Sequence, residues 1–446
     1  MVTPRTLKGF RDYLPAAMIA RERLIDTARR VYRSYGFSPI DTPALEYLEI
    51  LAGKGSAETD RQLYRFVDHG GREVGLRFDL TVPLARFVAQ HAATLGMPFK
   101  RYHIATVWRG EKSQRGRYRE FMQCDFDTIG TESVVADIET GLVIHGLLTA
   151  LGFSEFTIRL NDRRVLNGLL ENLGLLGQST AVLRALDKLP KVGAGGVEQE
   201  MVSQAGATPD QAAQVVRLAE VTGTNDQILS QLDHMVSGTE VGGRGVAHLR
   251  AVLVGLQAAG VPVGRVCLDV AIARGLDYYT GIVFETFLAP LPSIGSVCSG
   301  GRYDNLAGLY TKQHLPGIGA SLGLDRLLAA MEELGMVESV QTPADAFLAY
   351  FAHDALPNYL QLAAQLRAAG LRVDLYPEAK RLGQQLRYAD QRGFRVALIA
   401  GENEIAKGTC QVKDLKSGDS VEVAVGPAAT TLAAAVRAVL TKQAAP

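Results

Sequence analysis

Apolar residues recur at helical spacing near the amino terminus. Within Ala16–Tyr35 the apolar positions Leu24, Ala28 and Val31 are four and then three residues apart, and Gly36 follows the segment directly. This spacing places one apolar stripe along an α-helix, and a glycine commonly ends such a helix. The pattern therefore predicts a long amphipathic helix at the start of the fold.

Alternating apolar and polar residues follow, which is the pattern of β-strands with one buried face. The alternation occurs in five segments: Gly75–Thr81, Tyr102–Gly110, Phe121–Ile129, Arg265–Ile272 and Tyr278–Phe287. A basic stretch separates the second segment from the third, which predicts an antiparallel hairpin with a long loop. Because successive side chains of a strand point to opposite faces, Gln123, Asp125 and Asp127 are expected on one face.

The region between these groups of strands, residues 165–260, has mainly helical patterns. Thr208 is a typical N-cap, Pro209 suits the first helical position, and Gln211 stands where a capping box requires it. We expect this region to be a helical insertion into a domain built on antiparallel sheet. The whole arrangement belongs to the α+β class.

The pattern changes after a short polar link at residues 331–342. Strand-like and helix-like segments then alternate in the manner of βαβ units, and Thr409–Val425 has the pattern of a hairpin. This last stretch is about a hundred residues long, which is the size of a compact domain. We expect a sheet-based domain at residues 1–330, a linker at 331–342 and an α/β domain at 343–446.

Composition limits the partners and the compartment. The 446 residues carry 47 basic and 47 acidic side chains, so any nucleic-acid contact has to come from local patches. The four cysteines are far apart and lack metal-site spacing, which argues against a disulfide framework and a structural metal. Neither a signal-peptide pattern nor a membrane-spanning apolar run occurs, so we expect a cytoplasmic protein without membrane association.

The segment Val107–Gly130 concentrates positive charge. Guanidinium groups bind phosphates through paired hydrogen bonds, so a fixed Arg109 can hold an inner phosphate while mobile loop arginines gather outer ones. A solvated hairpin tip is the alternative interpretation, since charged surface runs are common. The segment contains five cations: Arg109, Lys112, Arg115, Arg117 and Arg119.

Three glycine-containing clusters are further candidates. The tyrosines of Ala273–Gly281 can line a polar pocket, or they can simply pack in the protein interior. The glycines of Ser299–Leu306 can form a turn that a ligand approaches closely, or an ordinary tight turn. In Gly317–Met331 a glycine-rich strand runs into a helix whose first turn carries Asp325 and Arg326, and helix starts attract anions. The sequence has no GxxxxGK[ST] phosphate loop and no HExxH, so a nucleotide would bind on antiparallel sheet.

Taken in order, these clusters resemble the class II aminoacyl-tRNA synthetases, and specifically the histidyl-tRNA synthetase family, over essentially the whole chain. KGFRDYLP is similar to the family's amino-terminal stretch, and FSPIDTPALEY to motif 1 at its dimer interface. VWRGE to DFDTIG resembles motif 2, and GASLGLDRL resembles motif 3. RGLDYYTG resembles the signature that separates histidyl enzymes from other class II members, and SGGRYDNL resembles a second signature.

The resemblance implies a fold, an activity and a set of partners. The fold would be a class II antiparallel-sheet catalytic domain with a helical insertion and a carboxy-terminal α/β anticodon-binding domain, in a homodimer. The activity would be that of a histidine–tRNA ligase, which converts L-histidine and ATP to histidyl-adenylate and pyrophosphate and then charges the 3′ adenosine of tRNA(His). ATP would act as a substrate with Mg²⁺, and the protein would ligate no structural metal.

The resemblance also assigns residues. Catalysis would rest on Arg274 and Arg109, with Arg274 taking a role at the α-phosphate that other class II enzymes give partly to a metal. The tRNA acceptor end would meet Gln114 and Arg115. ATP would bind Arg109, Glu111, Arg117 and Arg326. Histidine would bind Asp79, Leu80, Thr81, Arg109, Gln123, Asp127, Arg274, Tyr278 and Tyr279.

Two other classes of protein share parts of this pattern. The regulatory paralogue of the histidine pathway, a subunit of ATP phosphoribosyltransferase, usually lacks the anticodon domain and several arginines, whereas Arg109, Arg274 and Arg326 are all present here. A synthetase-like sensor of uncharged tRNA would need a fused kinase or other module, for which we expect no room. In motif 2, the CDFD sequence is closer to the eukaryotic-type variant than to the commonest bacterial one.

Overall fold

The computed structural model describes residues 1–52, 57–112, 116–272, 278–337, 341–351 and 353–442. The chain divides into two compact units. The first contains Met1–Arg11 and Arg23–Leu334, and the second contains Asp12–Glu22 and Gly335–Pro446.

The first unit combines a large sheet, a small sheet and helices. Its strands are β1 (Ser38–Pro39), β2 (Leu45–Tyr47), β3 (Arg65–Val67), β4 (Glu73–Leu76), β5 (Phe99–Trp108), β6 (Glu120–Ile129), β7 (Phe156–Asp162), β8 (Val266–Leu268), β9 (Ile282–Leu288), β10 (Cys298–Arg302) and β11 (Gly317–Gly323). Its helices are α2 (Leu48–Leu51), α3 (Ala57–Gln62), α4 (Thr81–Leu95), α5 (Val134–Ala150), α6 (Arg163–Asn172), α7 (Ser179–Leu186), α8 (Leu189–Ala205), α9 (Pro209–Ala219), α10 (Asn225–Met235), α11 (Glu240–Ala258) and α12 (Leu324–Glu333). Helix α1 (Pro15–Ser34) is divided between the units.

The large sheet is antiparallel at its centre. Among the described residues its strand order is β1-β5-β6-β11-β10-β9-β7-β8, and only the outer pairs β1–β5 and β7–β8 are parallel. A second sheet has the order β2-β4-β3. The antiparallel-dominated sheet with flanking helices confirms the predicted α+β class.

The predicted hairpin forms the centre of the sheet. Strands β5 and β6 pair antiparallel from Phe99 opposite Ile129 to Trp108 opposite Glu120. Behind them Phe126 is fully buried and packs against Tyr32 of α1, with ring centroids 5.2 Å apart. Burial of this apolar face fixes the register, so the polar side chains of β6 point to the opposite face of the sheet.

Four predicted segments differ from the observed elements, one of them Tyr278–Phe287, which is a strand only from Ile282. In the predicted segment Gly75–Thr81 the strand ends already at Leu76. The chain turns into α4 there, because the carboxylate of Asp79 accepts a hydrogen bond from the Val82 amide in the first turn of that helix. Only Val266–Leu268 of the segment Arg265–Ile272 is a strand. A glycine turn was predicted at Ser299–Leu306, but its first residues belong to strand β10, which ends at Arg302. Gly300 has no side chain, and this allows β11 to pack closely against β10.

The predicted helical region lies between the parallel neighbours β7 and β8 and comprises α6 to α11. Its helices pack very closely where α6 meets α11. A Cβ atom on Gly168 would lie 2.5 Å from the Cα of Gly242, so only glycine allows this approach. The capping box of Thr208 and Gln211 at the start of α9 is present as predicted.

The second unit has a five-stranded mixed sheet within its described residues. Its order is β13-β12-β14-β15-β16, with β12 parallel to both of its neighbours. The strands are β12 (Ala346–Leu348), β13 (Val373–Leu375), β14 (Val396–Ile399), β15 (Thr409–Asp414) and β16 (Ser420–Ala424). The helices are α13 (Leu356–Ala368), α14 (Leu382–Gln391), α15 (Glu402–Lys407) and α16 (Thr430–Thr441), of which the last two had no counterpart in the sequence prediction. No helix in the described parts of the chain has the length and apolarity needed to cross a membrane.

Candidate active site

A cavity of about 320 Å³ opens on the polar face of the large sheet, within the first unit. Its walls come from β6, β9, β10 and β11, from the connection between β5 and β6, and from the first residues of α4 and α12. Most residues predicted from the sequence meet here. They are Asp79, Thr81, Arg109, Glu111, Arg117, Gln123, Asp127, Tyr278, Tyr279 and Arg326.

Four of the predicted site residues do not join this group. Leu80 is fully buried and does not line the cavity; its carbonyl oxygen lies 3.5 Å from Nη2 of Arg101. Arg274, Gln114 and Arg115 lie outside the described residues. Their assigned roles therefore rest on sequence resemblance.

The row of polar side chains on β6 forms the floor of the cavity. Gln123, Asp125 and Asp127 all line it, as their alternation predicts. The amide nitrogen Nε2 of Gln123 donates to the hydroxyl of Ser321, at 2.7 Å. Because these groups are on rigid neighbouring strands, their positions are preorganised before any ligand arrives.

Asp127 is the most constrained carboxylate of the floor. Its Oδ2 lies 2.5 Å from Nη2 of Arg101, and its Oδ1 accepts a hydrogen bond from the Tyr303 hydroxyl. Burial raises the pKa of Asp127, while Arg101 and the tyrosine hydroxyl oppose that rise. Sequence reasoning missed Arg101, although its position opposite Asp127 in the hairpin register was a usable signal.

Glycines make room beside this carboxylate. A Cβ atom on Gly319 of β11 would clash with the carboxylate of Asp127, and one on Gly300 would clash with the backbone of Gly319. These positions therefore need glycine for space, and the strands on either side stay close enough to form a narrow pocket.

Arg109 is held against aromatic surface at the side of the cavity. Its Nε donates to the carbonyl of Phe78 at 3.1 Å, and its guanidinium lies 4.3 Å from the Phe78 ring centroid and 5.1 Å from that of Phe121. Burial lowers the pKa of Arg109, and Asp79 opposes this effect. The side chain follows directly after β5, one residue beyond the strand in which the sequence analysis placed it.

A second group of charges lies at the α12 end of the cavity. Nη1 of Arg326 donates to the Ser296 carbonyl, and Arg117 is 4.0 Å from a carboxylate oxygen of Glu111. Burial, followed by repulsion from Arg117, lowers the pKa of Arg326 to about 10. Two cations this close in a desolvated site are stabilised by an anionic ligand.

Arg11, from the amino-terminal stretch, connects two walls of the cavity. One of its guanidinium nitrogens donates to the Tyr118 hydroxyl at 2.9 Å, and another lies 3.0 Å from Oδ1 of Asp325. Oδ2 of Asp325 in turn accepts the amide of Met122, at 2.8 Å. Arg11 and Tyr118 have no predicted role, because such long-range contacts leave no local pattern in the sequence.

A buried network of charges adjoins Thr280, whose backbone amide donates to the Arg302 carbonyl at 2.8 Å. The guanidinium of Arg302 makes two hydrogen bonds of 3.0 Å to the carboxylate of Asp137. The ring of His248 lies between two carboxylates, 3.1 Å from Asp137 and 3.1 Å from Asp162. Burial would lower the pKa of His248, but these two carboxylates outweigh it and raise the pKa.

The cavity is thus divided by charge. Asp79, Asp125 and Asp127 act on one another at the floor, whereas the other end groups three arginines with two carboxylates: Arg109, Arg117, Arg326, Glu111 and Glu285. Such a site suits a ligand pair in which one partner is cationic and the other is strongly anionic.

Two family models and several known proteins match this chain over most of its length. A family model described as histidyl-tRNA synthetase matches residues 9–327, and one described as an anticodon binding domain matches residues 345–434. A histidine–tRNA ligase from Rhodopirellula baltica is 62% identical over 424 residues, covering 95% of this chain and 96% of that protein. The crystal structure of histidyl-tRNA synthetase from Nostoc sp. has a TM-score of 0.88 and 36% identity, covering 98% of this chain and 100% of that one.

A structure described as an ATP phosphoribosyltransferase regulatory subunit/histidyl-tRNA synthetase, from Bacillus halodurans, is also similar. It has a TM-score of 0.73 and 24% identity, covering 86% of this chain and 96% of that one. At this identity the likeness extends to the fold alone.

Proposed function

The chain belongs to the histidyl-tRNA synthetase family, and from this premise we propose how its cavity divides the work of a histidine–tRNA ligase. The enzyme charges tRNA with histidine in an ATP-dependent reaction. The observation that carries the assignment of substrates is the division of the cavity into a carboxylate-lined floor and an arginine-lined end.

The carboxylate-lined part receives histidine. Asp79 and Thr81, together with Gln123, hold the α-ammonium group, which is the cation that every amino acid brings. Asp127 and Tyr279 bracket the imidazole ring, and Tyr278 completes the pocket. Burial raises the pKa of Tyr279, with a further contribution from Asp127, so its hydroxyl remains protonated and uncharged and can form a hydrogen bond with a ring nitrogen. Polar groups of this kind reject isosteres that would leave them unpaired.

The arginine-lined part receives ATP. Arg109 holds the α-phosphate, Arg117 and Arg326 engage the β- and γ-phosphates, and Glu111 lies near the adenine or ribose. Mg²⁺ accompanies ATP as part of the substrate, and Glu111 and Glu285, which both line the cavity, offer the carboxylate oxygens that this ion prefers. Bound with ATP, the ion would neutralise part of the charge on the pyrophosphate group.

Activation proceeds by in-line attack of a histidine carboxylate oxygen on the α-phosphorus of ATP. The bond to the β-phosphate oxygen breaks, and pyrophosphate leaves with the bonding electrons. Arg109 on one side and Arg274 on the other stabilise the charge that develops on the α-phosphate oxygens. Because the attacking carboxylate is already ionised at neutral pH, this step needs no general base.

Transfer then requires the acceptor end of tRNA(His). The hydroxyl of its terminal adenosine attacks the carbonyl carbon of the adenylate, and AMP leaves. Gln114 and Arg115 meet the acceptor end, and the α/β domain at residues 343–446 binds the anticodon. The family match to an anticodon binding domain at residues 345–434 supports this division, with 1–330 as the catalytic domain, 331–342 as the linker and 165–260 as its helical insertion.

The enzyme acts as a homodimer in the cytoplasm. The small sheet exposes large apolar side chains, among them Tyr47 at 52%, Phe66 at 50% and Val67 at 63%. A cluster of exposed aromatic and aliphatic residues is typical of a surface that another subunit covers. FSPIDTPALEY, which resembles the family's dimer motif, contributes Leu45 and Tyr47 to this surface.

ATP–pyrophosphate exchange tests the proposal, with each of the twenty amino acids supplied separately and no tRNA present. We expect exchange with histidine alone, because only its side chain satisfies both Asp127 and Tyr279. Intact histidine binding without exchange would instead favour the regulatory class of relatives, which shares the fold.

A further inference from the structure

Asp125 is a buried carboxylate of the cavity for which the proposed function so far has no use. Its residue is 2% exposed and lines the cavity between Gln123 and Asp127. The hydroxyl of Ser321, which accepts from Gln123, hydrogen-bonds Asp125 and helps to lower its pKa. Its Oδ1 has no hydrogen-bond partner among the described residues, and a buried polar atom left in this way is costly unless a ligand completes it.

The charges around Asp125 do not balance. Arg101 is the guanidinium beside it on the floor, yet this cation is already ion-paired with Asp127 at 2.5 Å. Asp79 adds a further negative charge, while the cations Arg77 and Arg109 act on Asp125 from outside the floor. The floor therefore has two carboxylates, Asp125 and Asp79, beyond the one that its fixed cation neutralises.

The remaining neighbours of Asp125 are neutral or engaged elsewhere. His103 stands opposite it on β5, but its ring is hydrogen-bonded to Asp41 at 2.9 Å and burial lowers the pKa of that histidine to about 4. Burial also raises the pKa values of Tyr279, Cys298 and Tyr32, so these groups stay uncharged near neutral pH. Burial raises the pKa of Asp125 to about 7, and repulsion from Asp127 adds to this rise. The positive charge of Arg101 and the hydrogen bond with Ser321 lower the pKa but do not cancel the rise.

We propose that Asp125 is a further specificity-determining residue, whose free Oδ1 accepts a hydrogen bond from the imidazole of the substrate and holds that ring as the imidazolium ion. This inference rests on the proposed function, since it concerns the same histidine pocket. The imidazolium supplies the positive charge that the floor lacks. Asp127 and Asp125 then share one guanidinium and one imidazolium, and the α-ammonium group of the substrate serves Asp79, so the charges of the floor are matched.

A proton balance follows from this arrangement. Binding joins the carboxyl of Asp125 and the ring of histidine into a pair that keeps one proton between them. Above neutrality both groups are deprotonated when separate, so binding takes one proton from solvent. Below pH 6 both groups are protonated when separate, because the ordinary pKa of a histidine ring is about 6.5, so binding releases one. No covalent bond changes in this step.

Calorimetric titration of the full-length protein with histidine measures this balance directly. Titrations in buffers of different ionisation enthalpy at pH 8 are expected to show uptake of about one proton for the wild type and about none for Asp125→Asn. The substitution keeps the shape of the side chain and removes its charge. Asp269→Asn is a matched control, because this aspartate pairs with Arg159 away from the cavity. It should behave as the wild type.

A second measurement uses 2-fluorohistidine, whose ring is nearly isosteric but too weakly basic to become an imidazolium. The wild type should prefer histidine over this analogue in kcat/KM for pyrophosphate exchange. Asp125→Asn should reduce that preference by about tenfold or more, the effect of at least one unit of proton affinity. The KM for ATP should stay near the wild-type value, and the thermal unfolding curve reports whether the variant is folded.

The outcomes separate this inference from the proposed function. Failure of the wild type to exchange pyrophosphate with histidine would overturn the function itself. Normal exchange with no proton uptake at pH 8, which needs no variant to measure, would overturn only the role of Asp125. If wild type and Asp125→Asn take up the same number of protons and Asp127→Asn takes up none, the proton belongs to Asp127. That outcome would also overturn the role of Asp125.

Discussion

Arg101 and Asp127 face each other across strands β5 and β6, with Nη2 of the guanidinium 2.5 Å from Oδ2 of the carboxylate. Both residues are almost completely buried. Removing one partner of such a pair leaves an uncompensated buried charge, so the pair couples the proposed imidazole pocket to the stability of the sheet.

Asp127→Ala is expected to raise the KM for histidine far more than that for ATP, because the carboxylate lies on the floor and away from the phosphate-binding arginines. It should also lower the free energy of unfolding by about 3–5 kcal/mol, since Arg101 loses its counter-ion. Pyrophosphate exchange and urea unfolding measure the two effects. Asp233→Ala removes one member of an exposed ion pair with Arg250 and should change neither by much. Equal rises in both KM values would contradict the pocket assignment.

Arg274→Ala is expected to reduce adenylate formation by about 10²–10³-fold or more, as for loss of a group that stabilises charge in a transition state. Dimerisation should persist, because the residue is assigned to the active site and not to the small-sheet surface. Single-turnover adenylate formation and sedimentation velocity check the two expectations. Near-normal exchange by this variant would remove Arg274 from the catalytic group.

Arg326→Ala is expected to weaken the binding of ATP more than the binding of histidine. Its pKa is lowered to about 10 by burial and by Arg117, so the free site holds two mutually repelling cations that a phosphate would relieve. The KM for ATP in pyrophosphate exchange should rise by about tenfold or more. Arg217→Ala, which removes an exposed arginine of α9, is the matched control. A larger effect on histidine than on ATP would contradict the assignment of this end to phosphates.

Gly319→Ala is expected to abolish histidine activation while leaving ATP binding largely intact. The new methyl group would clash with the Asp127 carboxylate and the adjoining backbone of β6, and neither can move without breaking strand pairing. Exchange with histidine and equilibrium binding of ATP measure the two outcomes. Gly177→Ala, at an exposed position where a Cβ meets nothing within 4 Å, should be neutral. Normal activity of Gly319→Ala would show that the floor is not held rigidly.

His248 should make stability depend on pH. Its folded pKa is raised by Asp137 and Asp162 against the effect of burial, so its contribution is fully present below about pH 6.5, the unfolded pKa, and is lost as pH rises through the folded pKa. The difference in urea midpoint between wild type and His248→Gln should therefore shrink from pH 6 to pH 9.

An exposed histidine provides the comparison for this effect. The ring of His314 lies 2.7 Å from Glu132, and both side chains are mostly exposed. His314→Gln should shift the midpoint little at any pH, because solvent screens the pair. A wild-type advantage over His248→Gln that grows with rising pH would reverse the predicted sign and contradict the charged state of His248.

Local patterns predicted much of the framework. The β5–β6 hairpin, the opening helix, the strand-to-helix step at Arg326 and the capping box at Thr208 all depend on residues close together in sequence. Strand alternation also predicted the shared face of Gln123 and Asp127. Propensity and periodicity carry such information because they act over a few residues.

Other elements were not predictable in this way. Strand β10 was expected as a turn, because its consecutive glycines have weak strand propensity. They are in a strand because the sheet is densely packed there, and a side chain at Gly300 would meet the backbone of β11. Likewise Arg11 contacts Asp325 more than three hundred residues away, a pairing that leaves no local signal.

The sequence by itself therefore determined the α+β class, the alternation that directs the polar side chains of β6 to one face, and the residue types available to bind an amino acid and a triphosphate. The tertiary structure alone decided which charges are neutralised. Asp127 acquires Arg101, whereas Asp125 keeps a free oxygen. The physical reason is that burial and pairing depend on strands and helices distant in sequence, and these set the charge state of a carboxylate far more strongly than its chain neighbours do.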